Sequence, residues 1–147
     1  MNYKDAVVQD IGGIESLLKK YNLPANDIME HIDNFIVAEH ENKIIGVGGY
    51  EALGDVALLR SIAVAQEYRG KSIGVNIYHL LERKIKNKGI KEVYLLTETA
   101  TDYFQKLGFT KKARTTIPKT VMQTKQFREL CPSTAIIMFN DLSINNI

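Results

Sequence analysis

The residues best suited to chemistry lie in one short stretch, Arg69-Gly70-Lys71-Ser72-Ile73-Gly74. It combines two cations, two glycines and a hydroxyl between an apolar run and an amphipathic segment. A helix N-terminus leaves backbone N–H groups unpaired and carries the positive end of the helix dipole, so it favours an anion. Gly70 lets the backbone approach a ligand closely and adopt a positive φ, and Ser72 suits a helix N-cap. The stretch therefore predicts a loop that binds a pyrophosphate.

The stretch fits neither the Walker loop nor the dinucleotide-binding fingerprint. Glycine in loops and serine at helix caps are both common, so a plain loop that ends in a helix cap stays open as an alternative. The surrounding elements have to decide between the two interpretations.

Hydrophobic periodicity predicts an α/β (α+β) chain with a mixed, mostly antiparallel sheet and helices on both faces. The element order is α, α, β, β, β, α, β, α, β, (α), β. The predicted strands are NFIVAEH, IIGVGGYEAL, VALLRSIAVA, KEVYLLT, FTKKA and STAIIMFNDL. The longest helix covers roughly 72–88 and ends at Gly89 as a C-cap. The strand after this helix should lie parallel to the strand before it, because the helix is a crossover.

The composition describes an ordinary globular chain. Its 147 residues are 45% hydrophobic and 24% charged, with a net charge of +2, which predicts a single domain, residues 1–147. The lysines are scattered, so no nucleic-acid partner is expected. No run approaches the ~18 apolar residues of a membrane span, and the N-terminus has no apolar signal core. The chain is therefore predicted to be cytoplasmic, with no membrane partner.

Neither a disulfide framework nor a metal is predicted. Cys131 is the single cysteine, and a buried residue at the entry to a strand is a better interpretation than a metalloid ligand. His31 and His40 have no partner at the spacing of metal ligands, and His79 lies on the polar face of the long helix.

With its surroundings, SIAVAQEYRGKSIG resembles the acetyl-CoA motif of the GNAT (Gcn5-related) N-acetyltransferases, usually written Gln/Arg-x-x-Gly-x-Gly/Ala. Arg69 and Gly74 match that motif, whereas Ser72 stands where glycine is usual. That position contributes mainly a backbone N–H, so serine should weaken the site little.

A second stretch, YLLTETATDYFQKLGF, resembles the family's other signature, a strand that ends near Asn and precedes a helix closing on Gly-Phe. Ala100 and Gly108-Phe109 match it. Thr97 replaces the usual Asn, and Phe104 replaces the usual Tyr. The resemblance covers nearly the whole chain, and the order of elements agrees.

The resemblance implies a GNAT fold and an acyltransferase of the EC 2.3.1 type, with acetyl-CoA as cosubstrate and a small-molecule amine as acceptor. It implies that the pantetheine arm runs along the strand that ends at Val64 and that a backbone N–H there polarises the thioester oxygen. The pyrophosphate would bind the loop. The implied cofactor-binding residues are Ile62, Ala63, Val64, Arg69, Gly70, Lys71, Ser72, Gly74 and Thr97.

The acceptor ammonium must lose a proton, usually to a carboxylate. Glu51, which ends the strand beside the cofactor strand, is the predicted base, and Glu98 is the second candidate. A solvated charge at a hairpin end is the alternative interpretation of Glu51.

Arg60 is the other predicted catalytic residue. By period-2 alternation it shares a face with Leu58, Ile62 and Val64 in a central strand. A buried guanidinium needs a carboxylate partner or an anionic ligand, so a structural ion pair and an anionic acceptor such as an amino acid both stay open.

The family's tyrosine usually protonates the leaving thiolate, and here that position is Phe104. The neighbouring Tyr103 points about 100° away around a helix, and Phe104 fits core packing. A thiol with a pKa near ~8.5 is a tolerable leaving group without an acid. A non-catalytic acyl-CoA-binding module and a protein N-acetyltransferase remain as alternatives.

A narrower resemblance links LLRSIAV, LLTETATDYFQKLGF and FRELCPSTAIIM to the small GNAT proteins of arsenic-resistance operons. It implies an arsenical or a related amino acid as acceptor. The polar segment 115–130, with Met122 and Phe127, is left open between an acceptor pocket and a homodimer contact.

Overall fold

The computed structural model describes residues 1–129 and 135–143. The helices are α1 (Ile11–Lys20), α2 (Ile73–Asn87), α3 (Thr101–Lys106), α4 (Lys119–Met122) and α5 (Lys125–Glu129). The strands are β1 (Asn2–Asp5), β2 (Phe35–His40), β3 (Lys43–Leu53), β4 (Val56–Val64), β5 (Glu92–Thr97), β6 (Thr110–Lys112) and β7 (Ile136–Asp141). Shorter 3₁₀ turns lie at Val8–Asp10, Ile28–Asn34, Gln66–Tyr68 and Arg114–Thr116.

The strands form one seven-stranded sheet in the order β1-β2-β3-β4-β5-β7-β6. The pairs β1–β2, β2–β3, β5–β7 and β6–β7 are antiparallel. The pair β4–β5 is parallel, as the crossover through α2 predicts. The predicted fold class, a mixed and mostly antiparallel sheet with helices, is confirmed. The sequence analysis missed β1, because Asn2–Asp5 is short and polar and shows no apolar alternation.

The predicted C-cap of the longest helix at Gly89 is confirmed. At the end of α2, the N–H of Ile90 donates to the carbonyl of Ile85, and Gly89 has a φ of +80°. This is the bond pattern of a Schellman cap, which needs a left-handed residue after the last helical turn. Asn22 and Gly108 follow α1 and α3 and also have a positive φ, at +60° and +103°.

Contacts between Cα atoms divide the chain into two compact units. One comprises Met1–Glu51 with Ser61–Lys84, and the other comprises Ala52–Arg60 with the described residues from Ile85 onward. The prediction of a single domain stays a prediction. Within the described residues, no helix has the length and apolar character needed to cross a membrane.

In the first unit, glycines let α2 approach β3 closely. A Cβ on Gly48 would lie 2.7 Å from Cγ2 of Ile77, and a Cβ on Gly46 would lie 3.0 Å from Cδ1 of the same side chain. Successive residues of a strand face opposite sides, so Gly49 faces away from α2. A Cβ on Gly49 would lie 2.7 Å from the ring of Phe35, its partner in β2. The bare backbone of β3 is thus covered from both sides.

In the second unit, an apolar cluster joins the sheet to the segment after Ile117. Its buried members are Val56, Leu58, Tyr94, Ile117, Val121, Phe127 and Ile137. Phe127, left open above between a pocket and a dimer contact, is therefore a core residue of this unit. Met122 is exposed.

Gly49→Ala should lower the free energy of unfolding by about 1–3 kcal/mol, because the fully buried Phe35 ring cannot move away from a new methyl group. Gly12→Ala is the matched control. A Cβ there meets nothing within 4 Å, and alanine in a helix should stabilise by roughly 0.5–1 kcal/mol. Urea unfolding measures both changes. A Gly49→Ala protein as stable as the wild type would contradict the close packing against Phe35.

Candidate functional site

The first half of β4 pairs with β5, and the second half does not. The parallel ladder joins Val56–Glu92, Ala57–Val93 and Leu58–Tyr94. Within the described residues of both strands, this ladder ends at Leu58, although β4 continues to Val64. The predicted cofactor residues Ile62, Ala63 and Val64 therefore lie beyond the last residue of β4 that pairs with β5.

A backbone irregularity separates these residues from Arg60. Ser61 lies inside β4 with a φ of +59°, a left-handed conformation that interrupts regular alternation. Leu58 packs in the apolar cluster that includes Tyr94. Ile62 faces α2, since its Cγ1 lies 3.3 Å from a Cβ built on Gly48. The regular alternation on which the predicted shared face of Leu58, Arg60, Ile62 and Val64 depends is therefore interrupted at Ser61.

Arg60 itself is buried, as predicted, with 4% of its surface exposed. Its two chain neighbours in β4, Leu59 and Ser61, are buried as well. Arg60 already has an interaction within the protein. A structural role therefore exists for Arg60 whether or not it also meets a ligand.

The loop before α2 has the backbone of an anion cradle. Gly70 has a φ of +81° and Ser72 a φ of +64°, on either side of Lys71. Left-handed residues that interrupt a turn direct neighbouring N–H groups into one concavity, which binds anions. The carbonyl of Ser72 accepts the N–H of Asn76 at 3.0 Å, so the helix begins directly after the cradle. Gly74 lies in the first turn of α2.

The Arg69 side chain is held by the protein. Its Nε donates to the carbonyl of Val64 at 3.0 Å, and its Cζ lies 4.6 Å from the centre of the Tyr21 ring. Tyr21 is the C-cap of α1, and its hydroxyl oxygen accepts the backbone N–H of Gln66 at 2.8 Å. Sequence reasoning missed Tyr21, since 45 residues separate it from Gln66 and no local pattern connects them.

Thr97 and Phe104 both have roles within the second unit. The Thr97 hydroxyl accepts the N–H of Ala100 at 3.0 Å, which organises the turn into α3. Phe104 is 9% exposed and packs edge-on against Phe109, with ring centres 5.9 Å apart. Burial raises the pKa of the neighbouring Tyr103, so its phenol stays protonated at neutral pH.

Glu51 is buried inside β3, with 7% of its surface exposed. Its interpretation as a solvated hairpin-end charge is therefore wrong. Its Oε1 lies 3.8 Å from Nε2 of His31, and Oδ2 of Asp27 lies 3.8 Å from the same nitrogen. The His31 side chain is 24% exposed. A partly accessible imidazole thus lies against two buried carboxylates. The second candidate base, Glu98, is exposed.

The prediction that His31 lacks a partner at metal-ligand spacing is also wrong. Three potential metal-ligand atoms lie within 4.8 Å of one another, one each from Asp27, Glu30 and His31. The pairing of Asp27 with His31 accounts for this cluster, and Glu30 is an exposed acid of a kind that commonly occurs without an ion. The expectation of no metal stays a prediction. Cys131 lies outside the described residues.

Ser72→Gly should raise the free energy of unfolding by about 0.5–1 kcal/mol, because glycine adopts a left-handed conformation without strain. Gly70→Ala is the opposite change. It should destabilise by about 1 kcal/mol although a Cβ at Gly70 meets nothing within 4 Å. Thermal unfolding of both variants tests the loop backbone. Equal stability of Ser72→Gly and the wild type would contradict a left-handed Ser72.

The sequence matches the profile of the Acetyltransferase (GNAT) family over residues 12–109. An uncharacterized N-acetyltransferase of Chlorobaculum tepidum is 33% identical over an alignment of 86 residues, which covers 56% of this chain and 54% of that protein. The amino-acid acetyltransferase of Yersinia pseudotuberculosis is 25% identical over an alignment of 114 residues, which covers 71% of this chain and 26% of that protein. The chain thus spans about half the length of the first relative and about a quarter of the second.

Among solved structures, the fold is similar to N-acetylglutamate synthase of Neisseria gonorrhoeae complexed with coenzyme A and N-acetylglutamate. The TM-score is 0.84 at 19% sequence identity, covering 96% of this chain and 35% of that one. This likeness supports the fold, and the family profile covers well over half of the sequence. The chain therefore belongs to the acetyltransferase (GNAT) family.

Proposed function

We propose that this protein transfers the acetyl group of acetyl-CoA to the primary amine of a small molecule, with an amino acid as the first candidate. The loop from Arg69 to Gly74 carries the proposal. Its left-handed Gly70 and Ser72 lie at the N-terminus of the 15-residue helix α2. The cradle and the helix dipole both favour a pyrophosphate, and CoA contains one.

The second half of β4 suits the pantetheine arm. Among the described residues, the ladder between β4 and β5 ends at Leu58 of β4, and Ile62 to Val64 lie after that point in the strand. A strand edge without a neighbour can bind an extended ligand through its backbone N–H and C=O groups. A backbone N–H of this segment would also polarise the thioester oxygen during attack.

Glu51 is the proposed general base. The amine nitrogen, once neutral, attacks the thioester carbon, a C–N bond forms, and the C–S bond breaks to release the CoA thiolate. Glu51 accepts the proton that the ammonium loses, directly or through water. Its burial in β3 beside His31 fixes the position of the side chain, which supports this role. The nitrogen loses a second proton as the amide forms, and this proton passes through water to the thiolate, because Phe104 has no proton to donate.

The acceptor proposal rests on the relatives and on Arg60. One relative carries the name amino-acid acetyltransferase. The N-acetylglutamate synthase of Neisseria gonorrhoeae, whose fold is similar, was solved in complex with N-acetylglutamate. A buried guanidinium in β4 would suit the carboxylate of such an acceptor. An arsenical, the acceptor that the resemblance to the arsenic-resistance subfamily implies, should be tested beside amino acids in one panel of candidate acceptors. A cytoplasmic location and a homodimer stay predictions.

A non-catalytic acyl-CoA-binding module is the second candidate function. Phe104 favours it, because the family's tyrosine is replaced by a residue whose ring packs against Phe109. Thiol release in the presence of acceptors separates this candidate from an enzyme.

Wild-type protein should bind CoA and acetyl-CoA with micromolar affinity in calorimetry, and Gly70→Asp should abolish binding. The variant puts a carboxylate where the pyrophosphate should lie, and like charges repel. Gly54→Asp, at another left-handed glycine with open space around it, is the matched control and should bind normally. Failure of the wild type to bind would refute the acetyltransferase proposal. Binding with no thiol release from any amine in the panel would favour the non-catalytic module.

Glu51→Gln should lower kcat by about 100-fold at neutral pH, since a positioned base typically contributes 10²–10⁴-fold. The remaining rate should rise with pH, because more of the acceptor is then already neutral. Glu41→Gln, at a carboxylate that is 84% exposed, should leave kcat unchanged. Unaltered turnover in a folded Glu51→Gln protein would remove Glu51 from the mechanism.

A further inference from the structure

We infer that Arg69 and Tyr21 act together as a brace that positions the CoA loop, and that the Arg69 guanidinium is not a ligand of the pyrophosphate. Tyr21 is then a positioning residue for the acyl-CoA site. This inference rests on the proposed function, because it assumes that the loop binds CoA.

The first observation is where the Arg69 hydrogen bonds go. Its Nε donates to the carbonyl of Val64, at the last residue of β4, over 3.0 Å. This bond ties the start of the loop back to the end of the strand. A guanidinium is planar, so one donor fixed to Val64 constrains the directions of the other N–H groups.

The second observation is that an aromatic ring fixes that plane. The Cζ of Arg69 lies 4.6 Å from the centre of the Tyr21 ring, within the range of a cation–π contact. The Nζ of Lys20 lies farther from the same ring, at 5.8 Å. Arg69 is thus held by a carbonyl and a ring together, and the bound orientation is set before any ligand arrives.

The third observation is that the same tyrosine holds the loop backbone. The Tyr21 hydroxyl oxygen accepts the N–H of Gln66 at 2.8 Å. Gln66 opens the 3₁₀ turn Gln66–Tyr68 that leads into Arg69. One side chain at the end of α1 therefore contacts the loop at its entrance through its hydroxyl and at Arg69 through its ring.

The cations left for a phosphate follow from this arrangement. Lys71 lies between the left-handed residues, and it is exposed. Its Nζ lies 5.5 Å from the Tyr68 ring, and the side chain belongs to the middle residue of the cradle. Lys71 and the backbone N–H groups, rather than Arg69, would then neutralise the pyrophosphate.

The test compares CoA binding and steady-state kinetics for Tyr21→Phe, Tyr21→Leu, Arg69→Lys, Arg69→Met and the double variant Tyr21→Leu/Arg69→Met. We expect Tyr21→Leu and Arg69→Met each to weaken CoA binding and raise the KM for acetyl-CoA about tenfold, with kcat within about twofold. Arg69→Lys should be as weak as Arg69→Met, because an ammonium cannot keep the planar contact and the Nε bond together. The double variant should be no weaker than either single variant.

Lys20→Gln is the matched control at the same end of α1. It removes a cation that is 58% exposed and should change CoA binding by less than about twofold. Tyr21→Phe keeps the ring and removes only the acceptor for the Gln66 N–H. Hydrogen exchange of the Gln66 amide should therefore become faster in Tyr21→Phe, in a protein that is otherwise folded.

A phosphate-binding Arg69 would give the opposite pattern. Arg69→Lys would then bind CoA nearly as well as the wild type, and the effects of Tyr21→Leu and Arg69→Met would add in the double variant. Either result overturns the inference while the loop remains a CoA site. A wild-type protein that does not bind CoA would instead refute the proposed function.

Discussion

The close approach of α2 to β3 is the constraint on which the loop and its chemistry depend. Gly46 and Gly48 present bare backbone to α2, and Ile77 occupies the space that two Cβ atoms would take. A helix pressed this closely onto a strand has little freedom to slide or tilt. Its N-terminus is then fixed in space, and residues 65–72 must connect the end of β4 to that point. The left-handed conformations of the loop are a consequence of where the helix has to begin.

The loop tolerates serine at position 72, where the acetyl-CoA motif usually has glycine. A backbone position that requires a positive φ favours glycine but does not demand it, since the strain of a small L residue is modest. Ser72 accepts that strain and keeps the backbone N–H that an anion needs. We therefore expect the substitution to change the stability of the loop more than its ability to bind.

Much of the fold could be predicted because the signals are local. The ends of α1, α2 and α3 each need one left-handed residue, and Asn22, Gly89 and Gly108 supply it in the sequence. The glycine-rich loop could be predicted in the same way. The left-handed conformation of Ser61 could not be predicted, because nothing in the sequence of β4 distinguishes this serine from one in a regular strand. The alternation assumed around Arg60 is interrupted at this residue. The burial of Glu51 could not be predicted, because His31, which lies beside its carboxylate, is 20 positions earlier in the sequence and in a separate turn.

The contacts that hold the Arg69 side chain affect how the loop should respond to ionic strength. Within the part of the chain that the structure describes, its guanidinium contacts an aromatic ring and a backbone carbonyl. Dissolved ions screen charge pairs over a Debye length of about 10 Å at 0.1 M salt, but they act weakly on a ring contact and a short hydrogen bond. The loop should therefore hold its shape in dilute and concentrated salt alike. Any salt dependence of ligand binding would then report on the ligand's own charges and on Lys71, with the geometry of the cradle left constant.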